Sequence, residues 1–154
     1  MKKVKVFAIG KLPRFLQDAS REYERRVNKY CSLEIQEKEF RGISSEKVQQ
    51  EKENEWLREK LLEHRDFLSI GLDLSGKAIE SEEFSELVRE TMENSRGLVL
   101  VIGGSQGLST ETLSLVNRKL SFSKMTFPHA LFRVMLLEQL YRAFTILKNE
   151  PYHK

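Results

Sequence analysis

The chain has 154 residues, of which 40% are hydrophobic and 32% charged, with a formal net charge of +3. That balance excludes a disordered chain, and the longest run without a charged side chain, the 14 residues from Gly97 to Thr110, falls short of the roughly 20 apolar residues a membrane span needs. A lone cysteine, Cys31, rules out an internal disulfide, and the three histidines give no metal-ligand spacing, so no metal is expected and a reducing cytoplasm is the natural location.

The start, Met1 to Ile9, is basic but has no long apolar core or small-residue cleavage site, so no signal peptide is expected. Lys2 to Ile9 alternates Val4 and Val6 before Phe7-Ala8-Ile9, which predicts a strand, with a turn at Gly10-Lys11-Leu12-Pro13. Arg14 to Tyr30 spaces Phe15, Ala19, Tyr23, Val27 and Tyr30 as the buried stripe of a helix. Leu33, Ile35 and Phe40 suggest a second strand. Ser44 or Ser45 then caps a helix over roughly Glu46 to His64. Its few large apolar residues, Val48, Trp56, Leu57, Leu61 and Leu62, predict a surface helix packed weakly in its first half.

Phe67 to Leu74 reads as a strand buried on both faces, and Ser75-Gly76-Lys77 as a turn. Ser81 is expected to cap the next helix, with Glu82 and Glu83 in its first turn and Phe84, Leu87, Val88 and Met92 buried. Gly97 to Ile102 is the clearest buried strand, and it runs into Gly103-Gly104-Ser105-Gln106-Gly107. Ser109 caps a short helix to about Arg118. Leu120 to Met125 alternates like a strand, Pro128 interrupts it, and a last helix spans about His129 to Lys148. The alternation of strands and helices predicts an α/β fold of one domain over residues 1–154: a mostly parallel sheet with helices on both faces.

Charge is unevenly spread. Residues 1–30 hold nine Lys/Arg against three Asp/Glu, residues 31–117 ten against eighteen, and residues 118–154 seven against two. If the two ends meet in the fold they form a basic face suited to a polyanion, although charge alone favours plain solvated helix surface.

Two segments carry chemical signals. The glycine loop lacks both the G-x-G-x-x-G spacing of dinucleotide folds and the Lys-Ser/Thr of a P-loop, so it reads either as a tight strand-to-helix turn or as a place where backbone approaches a ligand. The final helix, Ala130 to Phe144, is apolar on almost every side, which implies more than one partner surface and, most simply, a homodimer through this helix. Within it Arg133 and Arg142 must be paired or aimed at an anion. The end, Tyr152-His153-Lys154, offers an aromatic face and cations for stacking on RNA, or is a frayed terminus.

Taken together, Leu98 to Leu108, Leu120 to His129, Arg133-Val134, Glu138 to Ala143 and Tyr152-His153-Lys154 resemble the bacterial methyltransferases of the SPOUT class that act on pseudouridine in the 23S RNA of the large ribosomal subunit. The resemblance covers the whole chain. It implies a C-terminal trefoil knot, a rare exception to un-knotted topology. It also implies a homodimer acting on ribosomal RNA and S-adenosylmethionine as donor of a methyl group to N3 of pseudouridine. Donor contacts would fall on Leu72, Gly104, Ser123, Lys124, Met125, Thr126, Phe127 and Pro128.

The ring's N3 must lose its proton, and His153 is the expected base, with His129 reserved for a structural role. Arg142 would stabilise charge on the ring or hold a phosphate, or else pair with Glu138. Tyr152 would stack on the base, and Arg133 and Lys154 would add contacts to the RNA. The rival readings are a flavodoxin-like nucleotide-binding protein and a non-enzymatic ribosome-binding factor.

Overall fold

The structure, a computed structural model, describes every residue from Met1 to Lys154. Five strands and five helices alternate without exception: β1 (Lys3–Ile9), α1 (Arg14–Val27), β2 (Ser32–Lys38), α2 (Glu46–Glu63), β3 (Leu68–Ala78), α3 (Ser81–Asn94), β4 (Gly97–Ile102), α4 (Thr110–Leu115), β5 (Arg118–Ser121) and α5 (His129–Leu147). The sheet order is β2-β1-β4-β3-β5, and all four pairings are parallel. The expected architecture of a parallel sheet covered on both faces is therefore present.

Period-2 alternation sorts the strand side chains into two cores. Val4, Val6, Ala8, Leu98, Leu100 and Ile102 face α1, α3 and α5, where they meet Val27, Val88, Leu136 and Leu140. Phe7, Ile9, Val99 and Val101 face the other way, onto Leu57 and Leu61 of α2 and Leu108. Every residue of β4 is buried, which is why its sequence is an unbroken apolar run. Trp56 anchors α2 by an edge-on contact with Phe7, ring centroids 6.1 Å apart.

Several local expectations need correction. Ser75-Gly76-Lys77 is not a turn: β3 runs on to Ala78, with a register shift against β5 between Leu72 and Lys77. A β-carbon at Gly76 would lie 2.6 Å from the backbone of Leu120, so the glycine admits the close approach of β5 at an irregular strand. Ser81 is the first residue of α3 rather than its cap; Glu80 takes that place, its backbone N–H donating to the Glu83 carboxylate at 3.4 Å. Phe122 to Met125 lies outside β5, and Phe40 lies outside β2. α1 ends at Val27, three residues early. Phe15, expected in its buried stripe, is 82% exposed.

The breadth of apolar surface on α5 has a partly internal explanation. The helix packs against both α1 and α3 as well as the sheet. Tyr30, just after α1, stacks flat on Phe144 at 5.3 Å, and Arg26 sits over Tyr141 at 5.3 Å. The two basic ends of the chain are thereby neighbours, although Arg21 and Arg25 are tied to Asp18 and Glu22 on their own helix.

Candidate active site

The C-terminal ends of the inner strands form a crevice of about 630 Å³, within the size range of sites for small ligands. Three chain segments meet there: Leu72 to Leu74 within β3, where the strand loses register with β5, the glycine loop 103–107 after β4, and the stretch from Leu120 through Pro128 into the start of α5. Of the eight expected donor contacts, Leu72, Gly104, Ser123, Met125, Thr126, Phe127 and Pro128 line it; the exposed Lys124 does not. Asp73, which at a strand end suits either orienting a ligand or capping a turn, lines it as well, and so does His129, for which a structural role was expected; Phe132 is the lining residue that nothing in the sequence singled out.

The glycine loop folds back on itself. Gly107 donates its N–H to the Gly104 carbonyl at 3.0 Å and holds φ at +75°, where a side chain is strained. A β-carbon on Gly103 would lie 2.7 Å from the carbonyl carbon of Gly107. These glycines leave backbone, not side chains, facing the crevice.

α2 holds that loop in place. Asn54, wholly buried, accepts from the Ser109 N–H at 2.8 Å and donates to the Gly107 carbonyl at 3.3 Å. Gln50 donates to the Gln106 carbonyl at 3.0 Å. Glu53, 6% exposed, receives a hydrogen bond from Gln49 on one oxygen at 2.8 Å, and its other oxygen stands behind Gly104 with no partner. The polar face expected to be solvated is the brace of the loop. The polarity of the helix was visible in sequence, but nothing there distinguished a buried polar contact from a wet one.

A second constellation assembles around α5. Arg142 reaches Glu138 through two nitrogens, at 3.0 and 2.6 Å. Tyr152 donates to the same carboxylate oxygen at 3.0 Å. It lies edge-on to Tyr141 with centroids 4.6 Å apart and carries the Arg142 guanidinium 4.9 Å over its ring. Burial, and then the hydrogen bond to Glu138, push the Tyr152 hydroxyl up to about 12. The hydrogen bonds it donates to Glu138 hold Arg142 above its ordinary value.

His153 bridges Arg142, 3.0 Å from its Nδ1, and Glu82, which contacts Nε2. A guanidinium only donates, so Nδ1 accepts and Nε2 carries the hydrogen offered to Glu82. A backbone hydrogen bond first, and His153 second, hold the Glu82 carboxyl below the usual range. The chain's end is thus docked rather than frayed, with exposed Lys154 beyond the cluster. No residue after Phe132 lines the crevice, so the tail cluster and the crevice are separate places in one chain.

Arg133, expected at an RNA surface, is 7% exposed. Its guanidinium pairs with Glu37 at 2.7 Å and donates to the Gly10 carbonyl at 3.1 Å, so it ties α5 to the ends of β1 and β2. His129 lies against Gly10, and its buried Nδ1 has no partner. Cys31 is wholly buried, and burial pushes its thiol up to about 12, consistent with an inert core residue.

Comparison with known proteins adds kinship to this geometry. Residues 2–153 match the protein family described as "Predicted SPOUT methyltransferase". The chain is 48% identical over 159 aligned positions to the ribosomal RNA large subunit methyltransferase H of Clostridium botulinum strain Okra, covering 98% of this chain and 99% of that one. Among solved structures it resembles a probable methyltransferase from Bordetella pertussis Tohama I, with TM-score 0.58 and 13% identity over 92% of this chain and 94% of that one. It also resembles a ribosomal RNA small subunit methyltransferase E from Neisseria gonorrhoeae bound to S-adenosyl methionine, with TM-score 0.54 and 10% identity over 95% and 66% of the two chains. These two structural likenesses speak for the fold.

Proposed function

The chain belongs to the SPOUT methyltransferase family, and from that premise we propose that it transfers a methyl group from S-adenosylmethionine to N3 of a pseudouridine in 23S ribosomal RNA, in the cytoplasm. No helix is long and apolar enough to cross a membrane. The observation that carries the reading is the convergence of Leu72, Gly104 and the 123–128 stretch on one crevice. The crevice suits an adenosyl group: Leu72, Met125 and Phe127 offer apolar cover for ring faces, and the glycine loop offers backbone groups. The buried, unpartnered Nδ1 of His129 is a spare polar atom at its edge. A bound donor would supply an electrophilic methyl group on a sulfonium centre.

The chain's own residues then have defined tasks. The crevice orients the donor and limits water, which makes the reaction a matter of placement. His153 takes the N3 proton as N3 attacks the methyl carbon; the carbon–sulfur bond breaks and its electron pair stays on sulfur as the thioether. The tautomer set by Glu82 leaves Nδ1 as the accepting nitrogen, so Arg142 must yield its place at Nδ1 to the substrate. Arg142 also carries the positive charge nearest that nitrogen, suited to a ring that becomes anionic. Tyr152 and Lys154 engage the base and phosphates.

Because the tail cluster does not line its own chain's crevice, the reading takes the enzyme to be a homodimer, the tail of one protomer serving the crevice of its partner. The exposed Phe15 and Leu131, at the starts of packed helices α1 and α5, are apolar surface fitted to such a contact. The reading includes a knotted C-terminal segment, with 122–128 passing through the loop region it lines.

The test is calorimetry with S-adenosylmethionine, followed by labelled methyl transfer with His153→Ala and Arg142→Ala. Loss of transfer with donor binding intact is the expected result. Normal turnover by both variants removes these roles, and absence of donor binding by the parent chain removes the reading and favours a non-enzymatic RNA-binding factor or a flavodoxin-like site for another nucleotide.

A further inference from the structure

The crevice has an uneven electrostatic character. Its lining is apolar groups, hydroxyls, backbone, the Gln106 amide and one histidine, and the only carboxylate or fixed cation among the lining residues is Asp73. Asp73 follows Leu72 at the point where β3 loses register with β5. One carboxylate oxygen, Oδ2, is engaged by Ser75, whose N–H donates to it at 3.1 Å and whose hydroxyl also contacts it. The other, Oδ1, faces the glycine loop, 3.5 Å from where a β-carbon on Gly107 would stand. No lysine or arginine pairs with Asp73: the nearest basic side chain in sequence, Lys77, is directed to Glu83. A carboxylate of the lining, held by Ser75 on one oxygen, paired with no cation, and beside the glycine loop on the other, imposes a negative field on whatever binds there.

We infer that Asp73 sets the preference of this crevice for the cationic methyl donor over the neutral product that remains after transfer. This rests on the reading that the crevice holds S-adenosylmethionine. The donor carries a sulfonium, an ammonium and a carboxylate, a net charge of +1. The product, S-adenosylhomocysteine, has the same ammonium and carboxylate but a neutral thioether, a net charge of zero. The two are otherwise nearly the same shape, so apolar walls and backbone hydrogen bonds hold them about equally well. The one charged side chain in the lining, negative and with no fixed positive charge beside it, is the feature that tells them apart; the Glu53 carboxylate stands behind Gly104, outside the lining. Its field acts across the crevice and does not require direct contact with sulfur. The consequence for turnover is that the spent donor leaves more readily than a fresh donor does, which limits product inhibition.

The experiment is a pair of calorimetric titrations, with S-adenosylmethionine and with S-adenosylhomocysteine, on the full chain and on Asp73→Asn and Asp73→Glu. Asparagine keeps the shape and the acceptor for Ser75 while removing the charge. The expected result is that Asp73→Asn shifts the ratio of the two dissociation constants roughly tenfold toward the product, chiefly by weakening the donor, while Asp73→Glu keeps the parent ratio. Equal weakening of both ligands in Asp73→Asn, or an unchanged ratio, overturns the inference and makes Asp73 a brace for the turn or a partner of the ammonium; the proposed function then still stands. If Asp73→Asn does not fold, an altered ratio in Asp73→Glu overturns the inference and a preserved one supports it. Failure of the parent chain to bind either ligand overturns the inference and the proposed function together.

Discussion

Replacing Arg133 by methionine keeps most of the buried stem and removes a guanidinium that is 8% exposed. Two hydrogen bonds disappear, to Glu37 and to the Gly10 carbonyl. Stripping one partner from a buried ion pair costs roughly 3–5 kcal/mol. The Glu37 side chain is 37% exposed, keeps the Leu12 N–H at 3.3 Å, and can take up water. The cost is therefore set lower, at about 2 kcal/mol. For a chain of this size each kcal/mol moves the melting temperature by roughly 2–4 °C, so the drop is about 4–8 °C. Thermal unfolding followed by circular dichroism on Arg133→Met, Glu37→Gln and the double variant measures it, and the pair should couple by about 1 kcal/mol. RNA affinity at fixed salt should stay near that of the parent. An unchanged melting temperature with RNA affinity lost would refute the reasoning and return Arg133 to the RNA surface.

Other outcomes follow from the same geometry. Gly103→Ala places a β-carbon against the backbone of Gly107, which cannot swing aside as a side chain would; stability should fall by roughly 1–3 kcal/mol and affinity for S-adenosylmethionine by roughly tenfold or more in calorimetry. Cys31, its thiol pushed up to about 12 by burial, should resist alkylation at pH 8 until the chain unfolds; fast labelling of the native protein would place it at the surface. In an ultraviolet titration of the four tyrosines, Tyr30 and Tyr152 should ionise last, both near about 12. Because folding raises these values, their contribution to stability is whole below the unfolded value of about 10 and is lost as pH climbs toward 12. Tyr152→Phe should remove one of the two late transitions, and its persistence would mean that the tail is not docked.

What could be read before the structure depended on whether the physical cause was local. β4 was legible to the residue because a strand buried on both faces must be apolar throughout. The start of α5 at His129 was legible because Pro128 marks it. Gly76 was misread because a glycine in a turn and a glycine under a crossing strand look the same until β5 is placed beside it. α2 was misread because Glu53 and Asn54 are polar for the sake of a loop more than fifty residues away. The breadth of α5 pointed to a second protein, yet α1 and α3 cover much of it. At the site, seven of the residues expected from the family resemblance share the crevice. The sequence leaves Asp73 a choice between orienting a ligand and capping a turn, and its hydrogen bond from Ser75 and its place beside Gly107 put it in position for both.

The account's central claim is that the crevice delivers a methyl group to ribosomal RNA. Incubating the protein with methyl-labelled S-adenosylmethionine and either large ribosomal subunits or their naked RNA, then digesting the RNA to nucleosides, tests it most directly. The account predicts label in a single nucleoside, N3-methylpseudouridine; donor binding with no label in RNA from either preparation, or label on a different base, would contradict it.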